Sequence, residues 1–421
     1  MLWHTAEMTR DYALAADSAD PLARYRNRFS ISDPDLIYLD GNSLGRPTVG
    51  AVDSIEKALH DEWGRRLVRS WRDEWIGLPE RVGDLLAPVI GASPGEVLIA
   101  DQTSVNLFKL ATAALKATGR TDILSDDSNF PSDLYVLDAV ARAAGGQLRI
   151  ASADRAAGPT VDGLSPLLDG SVGVVSLSHV GFKTGALADL GEINTMARDA
   201  GALALWDLSH SAGVVPVGLN AHNVDLAVGC SYKYLNGGPG APAFLYVRSD
   251  LQERLATPIP GWFGHADMFA FDPTYSPAPG IRRFAAGTPP ILSLRGAQAG
   301  IALSAEAGLE AIRTKSVQLT EFLVGRYDAR LTDLGFTLGS PRDPERRGGH
   351  VSLIHPHAYQ ITRALIDRKV IPDFRAPETI RLGLAPLYTT FTEVWDAVAA
   401  IATVVESGVY RDYPTEPDGV T

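Results

Sequence analysis

Gly173-Val174-Val175-Ser176-Leu177-Ser178, Ala202-Leu203-Ala204-Leu205-Trp206-Asp207 and Val224-Asp225-Leu226-Ala227-Val228-Gly229 are short apolar runs, spaced by segments of helical or turn-rich pattern. Similar runs stand at Glu96-Val97-Leu98-Ile99-Ala100, Asp122-Ile123-Leu124, Gln147-Leu148-Arg149-Ile150 and Ala243-Phe244-Leu245-Tyr246-Val247. Runs of this length are too short for buried helices and too continuously apolar for half-exposed strands. Alternating with helical segments, they predict an α/β fold with a mostly parallel, seven-stranded sheet covered by helices.

Working outward, the expected organisation is a large domain over residues 56–295, a smaller α+β domain over 296–421, and an N-terminal segment, 1–55, packing with the small domain. The last part mixes a long helical stretch around Ala297 to Arg330 with strands such as His350-Val351-Ser352-Leu353-Ile354. No internal repeat or low-complexity tract interrupts the chain. Its 421 residues are 45% hydrophobic and 21% charged, an ordinary globular balance. The 38 basic against 50 acidic residues leave a net charge of −12, so no basic footprint supports nucleic-acid binding. No run of about 18 apolar residues suits a membrane span. The opening Met1-Leu2-Trp3-His4-Thr5-Ala6-Glu7 lacks the pattern of an export signal. With Cys230 the single cysteine, no intrachain disulfide can form, and a reducing cytoplasm is expected. No metal is expected, since none of the nine histidines falls among other donors.

In open α/β sheets ligands bind beyond the carboxyl ends of the strands, and chemically apt residues recur there. Lys233, in Gly229-Cys230-Ser231-Tyr232-Lys233-Tyr234-Leu235-Asn236-Gly237-Gly238-Pro239-Gly240, sits between a buried strand and a glycine-rich turn. An amine held near apolar surface is a nucleophile suited to Schiff-base chemistry, although alone such a lysine is more often one that reaches out to solvent. Asp207 and His210 follow the preceding strand, 26 residues ahead of Lys233 in the case of Asp207. Taken singly they read as a helix cap and a buried histidine. Together with Lys233 they suggest pyridoxal 5′-phosphate, which needs a lysine for its aldehyde and an acid at its ring nitrogen. Two phosphate cradles are open: Asp101-Gln102-Thr103-Ser104-Val105-Asn106 at a helix start, and Ser231-Tyr232 beside the lysine. Asn129-Phe130-Pro131-Ser132-Asp133 offers an aromatic plane and a carboxylate, or simply a proline turn with a helix cap at Ser132.

These residues carry a resemblance to kynureninases, which are fold-type I pyridoxal-phosphate enzymes. It spans nearly the whole chain and rests on seven stretches in family order. They are Leu39-Asp40-Gly41-Asn42-Ser43-Leu44-Gly45, Asn129 to Asp133, Asp207-Leu208-Ser209-His210, Cys230 to Asn236, Gly261-Trp262-Phe263-Gly264-His265, Pro289-Pro290-Ile291-Leu292, and Arg381 through Pro386-Leu387-Tyr388. The resemblance implies that Lys233 binds the cofactor's aldehyde, Asp207 pairs with its ring nitrogen and Phe130 stacks on the ring. It places Thr103, Ser104 and Tyr232 at the phosphate end, and Pro131, Ser132, Asp133, Ser178 and His210 around the cofactor. Trp262 and Thr288 match residues that reach the phosphate from a neighbouring subunit, implying a homodimer with shared sites. Arg381 matches the arginine that grips the substrate carboxylate, a task suited to its planar fork, with Asn42 and Trp71 nearby.

The implied reaction is hydrolytic cleavage of the Cβ–Cγ bond of L-kynurenine to anthranilate and L-alanine, in the kynurenine pathway of tryptophan catabolism or a route toward NAD. Lys233 acts as base at Cα, and Tyr232 is the candidate proton donor. Thr288 and the Leu67 to Trp71 stretch resemble the bacterial type, implying that 3-hydroxykynurenine is the poorer substrate. Three alternatives share the cofactor residues: a cysteine desulfurase, a class V aminotransferase, and a catalytically silent homologue. A desulfurase needs a reactive cysteine on a mobile loop, whereas Cys230 falls on the predicted buried strand.

Overall fold

A computed structural model describes residues 9–154 and 157–416. A short strand, β1 (Ile37–Tyr38), precedes the seven strands of the large sheet: β2 (Val97–Ile99), β3 (Asp122–Asp126), β4 (Leu148–Ala151), β5 (Val172–Ser178), β6 (Leu203–Asp207), β7 (Leu226–Gly229) and β8 (Phe244–Val247). Their spatial order is β2-β8-β7-β6-β5-β3-β4. Every pairing is parallel except those of β8, which runs against both neighbours. The predicted seven-stranded, mostly parallel sheet is therefore present.

Side-chain alternation explains why the sheet is covered twice. Leu98, Ile123, Val174, Leu205, Leu226 and Leu245 pack into one core. Their strand neighbours Val97, Ile99, Leu124, Val175, Ala204, Trp206, Ala227 and Phe244 pack into another. With period-two strands, apolar residues at consecutive positions bury both faces at once. One consequence fixes the site. Six strands end at the same edge, and the reversed β8 brings its beginning, Gly240 to Ala243, to that edge as well.

The smaller sheet is antiparallel, in the order β12-β13-β10-β9, where β9 is Thr337–Leu338, β10 His350–Ile354, β12 Asp373–Arg375 and β13 Thr379–Gly383. Helices Leu309–Arg330, Ala358–Ile366 and Phe391–Glu406 supply its apolar cover. Helix Phe391–Glu406 starts with a capping box between Thr390 and Glu393, and Asp17 accepts from the backbone N–H of Phe391 (2.7 Å) and Thr392 (3.0 Å). Strand β1 pairs in parallel with β11 (Val370–Ile371). The single long helical stretch expected around Ala297 to Arg330 is corrected to two helices, Ile291–Ala307 and Leu309–Arg330. Gly308, at φ +81°, breaks them apart in a conformation that L side chains avoid.

Candidate active site

The edge where the strands end encloses a cavity of about 290 Å³. Its lining brings together Thr103, Ser104, Phe130, Ser132, Asp133, Asp207, His210, Tyr232 and Lys233, all singled out from the sequence. Gln102, Ser209, Gly240, Ala241 and Ala243 complete it. The first two follow strand ends next to residues already chosen. The last three arrive because β8 is reversed, which no single-residue signal announces.

Lys233 Nζ lies 3.4 Å from His210 Nδ1 and 3.2 Å from Nε2. Burial first, then the positive charge of Lys233, holds the His210 imidazole well below its ordinary pKa. His210 is thus a neutral partner for the amine. Phe130 and Tyr232 flank the amine, their ring centroids 5.9 and 6.0 Å from Nζ. The Cys230 sulfur and burial together raise the Tyr232 phenol, so it keeps its proton at neutral pH.

Asp207 Oδ1 accepts the Ser209 N–H at 2.7 Å. Asp133 and Asp207 are both buried, and burial, followed by the charge and hydrogen bond of Asp207, pushes the Asp133 carboxyl well up. Lys233 is the nearby cation that pulls it back down. Two carboxylates brought into contact away from water are unfavourable unless positive charge meets them. Lys233 cannot both balance this pair and serve as a free amine, so the pair fits a group that brings its own positive N–H, as a protonated pyridine does.

Helix Thr103–Thr118 opens onto the same cavity. Its N-cap residue, Gln102, makes no side-chain capping bond, which leaves the first N–H groups and the Thr103 and Ser104 hydroxyls open to an anion. The turn before it is held from beneath: the buried Lys109 Nζ donates to Asp101 Oδ2 (2.7 Å) and to the Phe284 carbonyl (2.6 Å). A nucleophilic lysine, an acid pair and an anion cradle together match the three ends of pyridoxal phosphate.

The remaining chosen residues lie outside this lining. Pro131 is the first residue of helix Pro131–Ala143, whose N-cap is Phe130, so the expected cap at Ser132 is corrected: proline's fixed φ suits the first helical position and the helix starts two residues earlier. Ser178 is not among the residues lining this cavity, and its hydroxyl donates to Asn129 Oδ1 at 2.7 Å. Trp71 packs edge-on against Trp75 and Phe263. Thr288 lines a second cavity, of about 320 Å³, which shares Gln102 and Gly240 with the first, and Trp262 is 43% exposed. Arg381 is buried and clasped: Nε reaches Asp373 at 2.6 Å, Nη1 the Phe182 carbonyl at 2.6 Å, and Nη2 Ser43 Oγ at 3.0 Å as well as Asp373. Asn42 is fully buried, and neither atom of its amide has a partner. Sequence reasoning did not find Asp373, which also takes Arg375 Nη1 at 2.7 Å, nor His350, whose ring centroid lies 5.8 Å from that of His210.

A sheet with a single reversed strand, presenting such a lysine and acid pair at its edge, defines the chain as a fold-type I pyridoxal-phosphate enzyme. Solved structures agree on the fold. A cysteine desulfurase from Thermococcus onnurineus NA1 superposes with a TM-score of 0.76 at 21% identity, covering 89% of this chain and 95% of that one. The cysteine desulfurase CsdA from Escherichia coli gives 0.78 at 18% identity, covering 92% and 98%. Sequence relatives narrow the class. Residues 312–401 match the model of the kynureninase C-terminal domain. A kynureninase of Pseudomonas fluorescens is 42% identical over 406 residues, 94% of this chain and 96% of that protein. One of Burkholderia pseudomallei (strain 1106a) is 43% identical over 409 residues, 96% and 97% of the two. The chain belongs to the kynureninase family.

Proposed function

We propose that this protein hydrolyses the Cβ–Cγ bond of L-kynurenine, releasing anthranilate and L-alanine, with 3-hydroxykynurenine as a poorer substrate. Family membership supports the activity, and the observation that carries it to this site is the Lys233 amine beside neutral His210, above the Asp133–Asp207 pair. Pyridoxal phosphate, held by Thr103, Ser104, Phe130, Asp133, Asp207 and Lys233, supplies an aldehyde for the substrate amine and a conjugated ring that takes up electrons released at Cα and Cβ. Lys233 Nζ removes the Cα proton and carries it; neutral His210 accepts a hydrogen bond from that amine without adding charge. Water adds at the γ-carbonyl, anthranilate departs, and the protonated Tyr232 phenol supplies the proton that completes the methyl group of alanine. Arg381 holds the α-carboxylate with Asn42, which explains an amide buried with no partner of its own. Trp71 belongs with the substrate's aromatic end.

The same reading makes the protein a homodimer in which Trp262 and Thr288 serve the partner's cofactor. Exposed apolar side chains support it: Trp63, Leu67, Val68, Trp262, Phe269 and Phe271 are 43–78% exposed. The division into a large domain, 56–295, and a smaller unit made of 1–55 with 296–421 is supported over the described residues by Ala13 and Leu39, which pack into the core of the small sheet. Residues 1–8, 155–156 and 417–421 lie outside the described residues. Among the described residues no helix is long and apolar enough to cross a membrane, in keeping with a cytoplasmic enzyme. Cys230 disfavours desulfurase chemistry, being buried, with its thiol raised by that burial rather than activated.

The test is to incubate the cofactor-loaded protein separately with L-kynurenine and 3-hydroxy-L-kynurenine and to follow alanine and the aromatic amine by chromatography. Alanine and anthranilate should appear in step. A higher kcat/KM on the hydroxylated substrate would overturn the preference, and two intact substrates in the presence of bound cofactor would overturn the activity.

A further inference from the structure

We propose that His350 is a substrate-binding residue that donates a hydrogen bond to the α-carboxylate, completing an anion site with Arg381 and Asn42. The inference rests on the reading above that the substrate is an α-amino acid. His350 opens strand β10 and is fully buried, yet neither of its ring nitrogens has a hydrogen-bond partner. The Phe182 carbonyl lies beside the ring and favours its protonated form, but it already accepts from Arg381 Nη1 and stands outside hydrogen-bond geometry with either ring nitrogen. Even a neutral imidazole carries one N–H donor, and leaving that donor unpaired in the interior is costly.

The sheet register sets what this donor faces. In the β10–β13 pair His350 stands opposite Gly383, and Ser352 opposite Arg381. Residues two apart on a strand share a face, so His350 and Arg381 are diagonal neighbours on one side of the sheet. Gly383 leaves the space between them open, and Asn42 fills it: a Cβ on Gly383 would collide with the Asn42 amide, itself without partners. Two unpaired buried donors therefore flank a guanidinium. His210 and Lys233 close the other side, with the His210 ring centroid 5.8 Å from that of His350.

Charge selects an anion for this place. Burial, then Arg381, Lys233 and Arg375, keep the His350 ring neutral, which is the form that offers a single N–H beside cations without repelling them. Arg381 already spends N–H groups on Asp373, Ser43 and Phe182. A carboxylate drawn to its charge needs further donors, and His350 and Asn42 are the ones left over.

The experiment titrates the cofactor-loaded protein with L-alanine and with L-alaninamide, which lacks the carboxylate, and reads binding from the change in cofactor absorbance. The protein as it stands is compared with His350→Leu, His350→Phe and His350→Gln. Loss of a hydrogen bond to a charged group should weaken L-alanine about ten- to a hundredfold in the Leu and Phe variants. L-alaninamide should change less than about twofold, and His350→Gln, which keeps a donor, should restore most of the L-alanine affinity. Unchanged L-alanine affinity in whichever of the two apolar variants folds would overturn the proposal. So would an equal loss for both ligands, which would mark a structural or water-holding histidine. L-kynurenine turnover by the unsubstituted protein is followed alongside: if it is absent while the discrimination shifts as stated, the kynurenine reading falls and the carboxylate assignment stands.

Discussion

Asp207→Asn should strengthen the empty protein while weakening the loaded one. Asparagine keeps an oxygen for the Ser209 N–H, gives Asp133 an N–H donor and removes one of two like charges held in contact. At an effective dielectric of about 20, two unit charges about 4 Å apart repel by about 4 kcal/mol. Protonation of Asp133 already relieves part of this, so about 2 kcal/mol is the expected gain. With an unfolding entropy of about 2.1 cal/mol/K per residue, a chain of 421 residues shifts its melting point by about 1 °C per kcal/mol, or about 2 °C upward here. With pyridoxal phosphate the sign reverses. Losing a charge-assisted hydrogen bond to the ring nitrogen removes about 1.5–3 kcal/mol, an affinity about ten- to a hundredfold lower. The pH dependence follows from the raised Asp133 carboxyl. A group whose folded pKa lies above its unfolded value near 3.9 contributes stability at low pH and loses it as pH climbs toward the folded value. The advantage of the asparagine variant in the empty protein should therefore be larger at pH 8 than at pH 5. Differential scanning calorimetry with and without the cofactor at both pH values, and equilibrium titration with pyridoxal phosphate, measure the two effects. An empty variant melting below the parent at pH 8, or an unchanged cofactor dissociation constant, would refute the reasoning.

Lys233→Ala should lower anthranilate formation by at least about a thousandfold and let the cofactor be removed by dialysis, and the empty variant should melt below the parent because the cation beside the Asp133–Asp207 pair is gone. Tyr232→Phe is expected to lower kcat about 10²- to 10⁴-fold, a larger effect than the loss of cofactor affinity that removing a phenol at the phosphate end brings, as steady-state kinetics and absorbance titration would show. Lys109→Met strands Asp101 and the Phe284 carbonyl, so urea unfolding should record a loss of about 3 kcal/mol, together with weaker cofactor binding through the displaced turn before Thr103.

Much of the fold was legible because a strand buried on both faces has little choice but to be apolar throughout, as in β5 and β7. The candidate residues at strand ends were legible for a related reason: a polar side chain directly after such a strand, like Asp207 or Thr103, is placed by the sheet itself. What escaped depends on which distant elements meet. The contact of Asp133 with Asp207 joins two crossovers, and the clasp of Arg381 by Asp373 depends on a hairpin register that turn residues and packing set together. His350 read as one polar residue in an apolar strand, and its significance comes from Gly383 opposite, where a missing side chain lets Asn42 in. Ser178 sits at a strand end like the others, yet Asn129 captures its hydroxyl.

The loop from Leu39 to Gly45 touches both halves of the molecule through its backbone. Leu39 accepts the Gly383 N–H at 2.6 Å on the small sheet, while the Gly45 N–H donates to the Tyr232 carbonyl at 2.8 Å, one residue ahead of Lys233. Any side chain at Gly45 would collide with the Lys233 carbonyl and with Asn236. This short turn, in which the Ser43 and Leu44 N–H groups both donate to the Asp40 carbonyl, thus forms a strut between the strand that bears Arg381 and the turn that bears the amine. If the small sheet swings toward the cavity, this strut must pull on the turn or give way, so the carboxylate grip and the aim of the amine are geared to one another. Lengthening the loop by a residue or two between Ser43 and Gly45 would leave Asn42 and Ser43 beside Arg381 and yet let the two ends of an amino acid be gripped out of step.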